Sequence, residues 1–183
     1  MQLHNGKVLE NVFDFKLQDY WDVECLAHSC SIQTRYTGHS DFPIWITQHM
    51  QLASELALLD CAPPDVVLGA HIHDLGEGFF GEMNFHIKKL PQLEAYKTRE
   101  HYIEYEIFKL HGLNLNEQFL EDVKYYDSVA LSTEAYWAKQ VHANVWKPHT
   151  SKYLPRYSVL VQEISWREAK EEWLKRYYEL TNA

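Results

Sequence analysis

The chain has 183 residues, 46% of them hydrophobic and 14% aromatic, enough to bury one substantial core over 1–183 as a single domain and too apolar for a disordered chain. Acidic residues outnumber basic ones by 26 to 17, a formal charge of −9, which argues against duplex nucleic acid as a partner, because that binding rests on Lys and Arg against phosphates. No apolar run approaches the roughly 18 residues that cross a bilayer, and "MQLHNGKVLENVF" lacks a basic segment followed by an apolar one, so the expectation is a cytoplasmic protein with no membrane partner.

In chain order, the first predicted helix starts at Asp22, carries Val23, Leu26, Ala27 and Cys30 at helical spacing, and stops before Gly38. Cys25, Cys30 and Cys61 are odd in number and form no Cys-x-x-Cys pair, which fits buried structural thiols in a reducing compartment. "DFPIWITQHMQLASELALLDCAPP" predicts a second helix with Asp41 as cap and Pro43 in its first turn, then Ile46, Met50, Ala53 and Ala57 on one face until Pro63 and Pro64. Pro64 and Asp65 open a third through Val66, Val67, Leu68 and Ile72, and Gly76, Gly78 and Gly81 loosen its end. "PQLEAYKTREHYIEYEIFKLHG" gives a fourth, with Leu93, Tyr96, Glu100, Ile103, Ile107 and Leu110 at three- and four-residue steps up to Gly112. A fifth starts near Asn116 with Phe119, Val123, Asp127, Ala130 and Glu134 along one stripe. "HANVWKPHTSKYLPRY" is expected to be a surface loop, and Ser165 with Glu168 forms a capping box before Trp166, Ala169, Trp173 and Tyr177. Nowhere does a period of two persist, so the expected fold is all-α, five to seven helices around one core.

"AHIHDLGEGFFGEM", residues 70 to 83, concentrates the chemistry. If it continues as one helix, its residues turn by about 100° each, so His73 and Asp74 lean toward one point while His71 lies roughly 200° from His73, off that point. Glu77 follows one turn along the same face, placed for acid/base work. Two ligands do not make a tight metal site, so others must come from distant helices. His49 interrupts an apolar helix and Asp127 interrupts the stripe of Val123 and Ala130; each is an ionisable group whose burial is costly without a partner. Mixed imidazole and carboxylate donors suit Mn, Fe, Co, Ni or Zn, with positions left for water and substrate. The chemistry this suggests is metal-assisted hydrolysis of a phosphate ester.

The joint order of His, His-Asp with a Glu three on, and a distant Asp resembles the HD-domain phosphohydrolases. "CLAHSCSIQTRYTGHSDFPIWITQHMQLASEL", "HIHDLGEGFFGEMNFHIKKL" and "VKYYDSVALSTEAYW" are similar, in that order, to segments of small bacterial and phage members, and the match covers about residues 6 to 137. Two features differ: Gly81-Glu82 stands where relatives have Gly-Asp, and the Pro expected before the Lys is missing from "FHIKK".

The resemblance implies a compact all-α HD domain in which His49, His73, Asp74 and Asp127 bind a divalent metal ion (Mn, Co, Fe, Zn, Ni or Mg). It implies that Glu77 positions or deprotonates the attacking water with Asp74 beside it, that Arg35 faces a substrate phosphate, that Tyr36 lies against sugar or base, and that Lys88 makes a second phosphate contact. The expected substrate is a small deoxynucleotide. "RYTGH" and "NGKVLENVFDF" look more like a phage group that removes triphosphate from dATP, releasing the deoxynucleoside, which would place the protein in the host cytoplasm. Alternatives are a 5′-deoxynucleotidase acting on dNMPs and, from another class, a nucleotide- or metal-binding module without turnover. Relatives form homo-oligomers, so a dimer or hexamer is expected.

Overall fold

The computed structural model describes residues 1–138 and 153–182, and among them the fold is all-α, with pairing of extended backbone limited to isolated bridges at Gln2–Val8 and Thr34–Trp45. In chain order the helices are α1 (Leu17–Tyr20), α2 (Val23–Ser31), α3 (Ile46–Leu59), α4 (Pro64–Ile72), α5 (Glu77–Phe80), α6 (Phe85–Lys88), α7 (Glu94–Leu110), α8 (Glu117–Ala138) and α9 (Trp166–Thr181). No helix among these residues is long and apolar enough to cross a membrane.

Most helix starts follow from local chemistry. Asp22 caps α2, its carboxylate accepting from Cys25 N at 2.9 Å, and Pro64 occupies the first turn of α4. Asn116 accepts from Phe119 N at 2.9 Å ahead of α8, and Ser165 accepts from Glu168 N at 3.2 Å to start α9. The expected cap at Asp41 is corrected. The helix begins only at Ile46, because residues up to Trp45 are held extended: Arg35 N donates to Ile44 O at 2.8 Å and Ile46 N to Gln33 O at 3.3 Å. Asp41 instead donates its amide to Ala138 O at 2.9 Å. The expected loop "HANVWKPHTSKYLPRY" lies for the most part outside the described residues; its described end, from Tyr153, carries no helix.

α3 sits at the centre, packed against α2, α4, α8 and α9, with α4 in turn against α8. Met50, Ala53, Leu56 and Ala57 of α3 join Val67, Ala70 and Ile72 of α4 in one core. The α4–α8 crossing is close because Gly69 lacks a side chain: a Cβ there would stand 2.7 Å from the Phe119 ring and 2.8 Å from Val123. On the other side of α4, fully buried Trp173 of α9 stacks on His71 with ring centroids 4.8 Å apart. Trp173 Nε1 donates to His71 O at 3.0 Å and His71 Nε2 donates to Trp173 O at 3.0 Å. Burial pushes the His71 imidazole down to about 3, so it is held neutral and turned away from His73, as the helical angle required.

One correction matters for chemistry. His71, His73, Asp74 and Glu77 do not share a continuous α-helix. α4 ends at Ile72, and from there amides donate three residues back, Leu75 to Ile72, Glu77 to Asp74 and Gly78 to Leu75, until α5 starts at Glu77. In this tighter winding side chains three apart eclipse one another, which puts Asp74 and Glu77 on one face. Gly78 lets α5 lie on α2, since a Cβ would come within 2.9 Å of Leu26 Cδ2.

Candidate metal centre

Three helical segments converge on one point. His49 comes from the middle of α3 and is fully buried, His73 and Asp74 come from the tight turn after α4, and Asp127 comes from α8. One donor atom each of His49, His73 and Asp74 lies within 4.8 Å of the others, so the group could hold a metal ion. Asp127 Oδ1 lies outside that group of three but borders it, 3.1 Å from His49 Nε2 and 3.8 Å from His73 Nε2. Asp74 Oδ2 is 3.3 Å from His73 Nε2 and 3.7 Å from His49 Nε2.

The tautomers fit a cation. His73 Nδ1 donates to Ala70 O at 2.9 Å, which leaves Nε2 for the centre, and there Nε2 is buried without a hydrogen-bond partner. His49 Nδ1 lies 2.8 Å from the Glu134 carboxylate, and its Nε2 likewise faces the centre. Two buried imidazole nitrogens beside two carboxylates are donors of the kind a divalent cation takes. Charge agrees. Burial raises the Asp74 carboxyl, but His73 and His49 outweigh it and hold Asp74 below the usual range. Asp127 is also held well below, Lys124 and His49 overcoming burial. Burial and Arg35 lower His49, yet Glu134 and Asp127 raise it to about 9, so a cation held here would have to displace a proton from that ring.

The other expected residues border this centre. Glu77, 5% exposed at the start of α5, has its carboxyl pushed well above the usual range by burial and then by Asp74 and Glu82, with Lys88 opposing. Arg35 donates from Nη1 to Asp74 Oδ2 at 3.3 Å. Tyr36 donates its hydroxyl to Glu134 Oε2 at 3.0 Å. Lys88 at the end of α6 is engaged by two carboxylates, Glu77 Oε1 at 2.9 Å and Glu100 Oε1 at 3.0 Å, so the expected phosphate contact is here an ion-pair clamp on Glu77. Lys124 pairs with Asp127 and points largely into solvent.

Three participants had no assigned role in the sequence: Glu134, Glu100 and Lys124. Glu134 lies seven residues after Asp127 on the same α8 stripe and Glu100 on the stripe of α7, so both were visible as carboxylates on buried faces. Lys124, three residues before Asp127, was visible only as a helix-spaced ion pair. Compared with known proteins, the chain matches no family model and no curated sequence.

Proposed function

We propose that this chain is a divalent-metal-dependent phosphohydrolase acting on deoxynucleotides, of the HD-domain kind, and that its preferred reaction is hydrolysis of dATP to deoxyadenosine and triphosphate. What carries this is the grouping of His49, His73 and Asp74 donors, with Asp127 against both imidazoles, beside a buried Glu77 whose carboxyl is pushed above its usual range and a buried Arg35. His49, His73, Asp74 and Asp127 would hold the ion; two imidazoles and two carboxylates suit Mn, Fe, Co, Ni or Zn, with Mg an alternative. Bound there, a divalent ion supplies charge to balance phosphoryl oxygens and makes water more acidic.

The chain's own groups do the rest. Glu77 carries a carboxyl pushed above its usual range by burial and by Asp74, the direction that suits a carboxyl for acid/base work. Lys88 fixes Glu77 Oε1 while Oε2 is buried with no hydrogen-bond partner, leaving that oxygen to meet water. Arg35, oriented by Asp74, offers guanidinium donors to a phosphate. Lys88 and Lys124 are taken up by carboxylates of the site, so the preference for a triphosphate over a monophosphate rests on the resemblance of "RYTGH" and "NGKVLENVFDF" to the phage group and not on the charge around the centre.

The test is product analysis by anion exchange after incubating protein with Mn²⁺, Co²⁺ or Mg²⁺ and a panel of dNTPs and dNMPs. Deoxyadenosine plus intact triphosphate, strongest from dATP, is the expected result. Orthophosphate from dNMPs would replace the leaving group and make the protein a 5′-nucleotidase. Nucleotide binding without turnover under any metal would overturn the enzyme assignment in favour of a binding module.

A further inference from the structure

Glu134 has no part in the roles assigned above, yet it is fully buried and receives three partners on its two oxygens. His49 Nδ1 lies 2.8 Å from Oε1; the Tyr36 hydroxyl donates to Oε2 at 3.0 Å, and Arg35 Nε is 3.2 Å from Oε2. Burying a carboxylate without such partners is costly. The partners belong to two different parts of the site: His49 stands on α3 among the donor atoms, while Arg35 and Tyr36 stand on the turn Arg35–Gly38.

We propose that Glu134 is a positioning residue that, with one carboxylate, presents His49 Nε2 to a divalent cation and fixes the Arg35–Tyr36 turn against the same centre. Its role rests on the reading that His49 holds a cation and Arg35 meets a phosphate. A ring nitrogen facing a carboxylate is kept as N–H and the ring cannot swing. Both His49 nitrogens face carboxylates, Nδ1 at Glu134 and Nε2 at Asp127, and the proton a cation would displace is the one on Nε2, on the side of the shared centre, while Glu134 retains the one on Nδ1. Here Oε1 keeps Nδ1 protonated and aims Nε2 at the point shared with His73, Asp74 and Asp127. On the turn, Tyr36 and Thr37 adopt φ of 61° and 54°, a left-handed conformation that non-glycine residues hold only when their surroundings impose it. The Tyr36 hydroxyl on Oε2 is one such constraint, and the ion pair to Arg35 Nε sets the guanidinium that also reaches Asp74.

A carboxylate that served only as counter-ion to Arg35 would matter to folding and not to cation affinity, and that difference is the experiment. Mn²⁺ is titrated calorimetrically into metal-stripped wild type and Glu134→Gln, with circular dichroism and melting temperature recorded on both. The expected result is a folded E134Q whose Mn²⁺ affinity is lower by about 10- to 100-fold. A folded E134Q with wild-type Mn²⁺ affinity overturns the proposal. Wild type that binds no Mn²⁺ or other divalent ion overturns the metal reading beneath it, a separate and recognisable failure. If E134Q does not fold, long-range ¹H–¹⁵N spectra of Zn²⁺-loaded wild type decide: a slowly exchanging Nδ1–H on His49 supports the role, and an Nε2-protonated His49 overturns it.

Discussion

At the scale of single residues, Asp74 is proposed to hold a cation and Glu77 to move a proton, and substitutions separate the two. Asp74→Ala should lose both bound metal and turnover while circular dichroism stays helical. Glu77→Gln should keep its metal content, measured by plasma emission, and lose about 10²- to 10⁴-fold in kcat, the usual worth of an acid/base group. His49 and Asp127 were legible in the sequence because each is an ionisable side chain interrupting an apolar helical period. Glu134 interrupts the same stripe, but its meaning depends on partners 85 and 98 residues earlier, His49 and Tyr36, and no local pattern carries that. Lys88 was expected at a phosphate; its pairing with Glu77 and with Glu100 of α7 joins residues 11 and 12 positions away on other elements, which no local pattern carries. The left-handed Tyr36 and Thr37 were invisible, since neither residue type favours that conformation.

At the scale of elements, two junctions carry measurable consequences. Gly69→Val should destabilise the protein by about 1–3 kcal/mol in urea unfolding, because new atoms would collide with the buried Phe119 ring and Val123, neither free to leave the core. At the far end of α7, His111 ties that helix to α9, accepting or donating at Nε2 with the Tyr177 hydroxyl at 2.9 Å while Nδ1 donates to Ile107 O at 2.7 Å. Burial lowers its pKa, against the opposing pull of the Ile107 carbonyl. A group depressed in the folded state contributes stability above its unfolded value of about 6.5 and loses it as pH falls below that. Urea midpoints should therefore drop between pH 7 and 5 more in wild type than in His111→Gln. The longer helices α2, α4, α7, α8 and α9 were readable from period and caps alone; the four-residue α1, α5 and α6 are too short to show a period, and the late start of α3 was hidden because the pairing of Arg35 with Ile44 that delays it joins separate segments.

At the scale of the molecule, carboxylates are gathered at the centre in a chain already at −9. Asp74, Glu77, Glu100, Asp127 and Glu134 are answered by Arg35, Lys88 and Lys124 and by two imidazoles. A divalent ion binding the folded chain alone should raise the melting temperature, by a stabilisation of about 2.7 kcal/mol at a hundredfold excess over its Kd, and EDTA should reverse it; no shift with Mn²⁺, Co²⁺ or Zn²⁺ would remove the metal assignment. The helix α9 supplies none of the proposed donors, yet Trp173 is locked face to face and carbonyl to ring with His71, two positions before His73. The last residue with a chemical task therefore does not mark the edge of the working unit. A protein cut before Ser165 would retain every group the proposal names and lose the wall on which they stand, so any minimal version of this chain has to be drawn by packing and not by function.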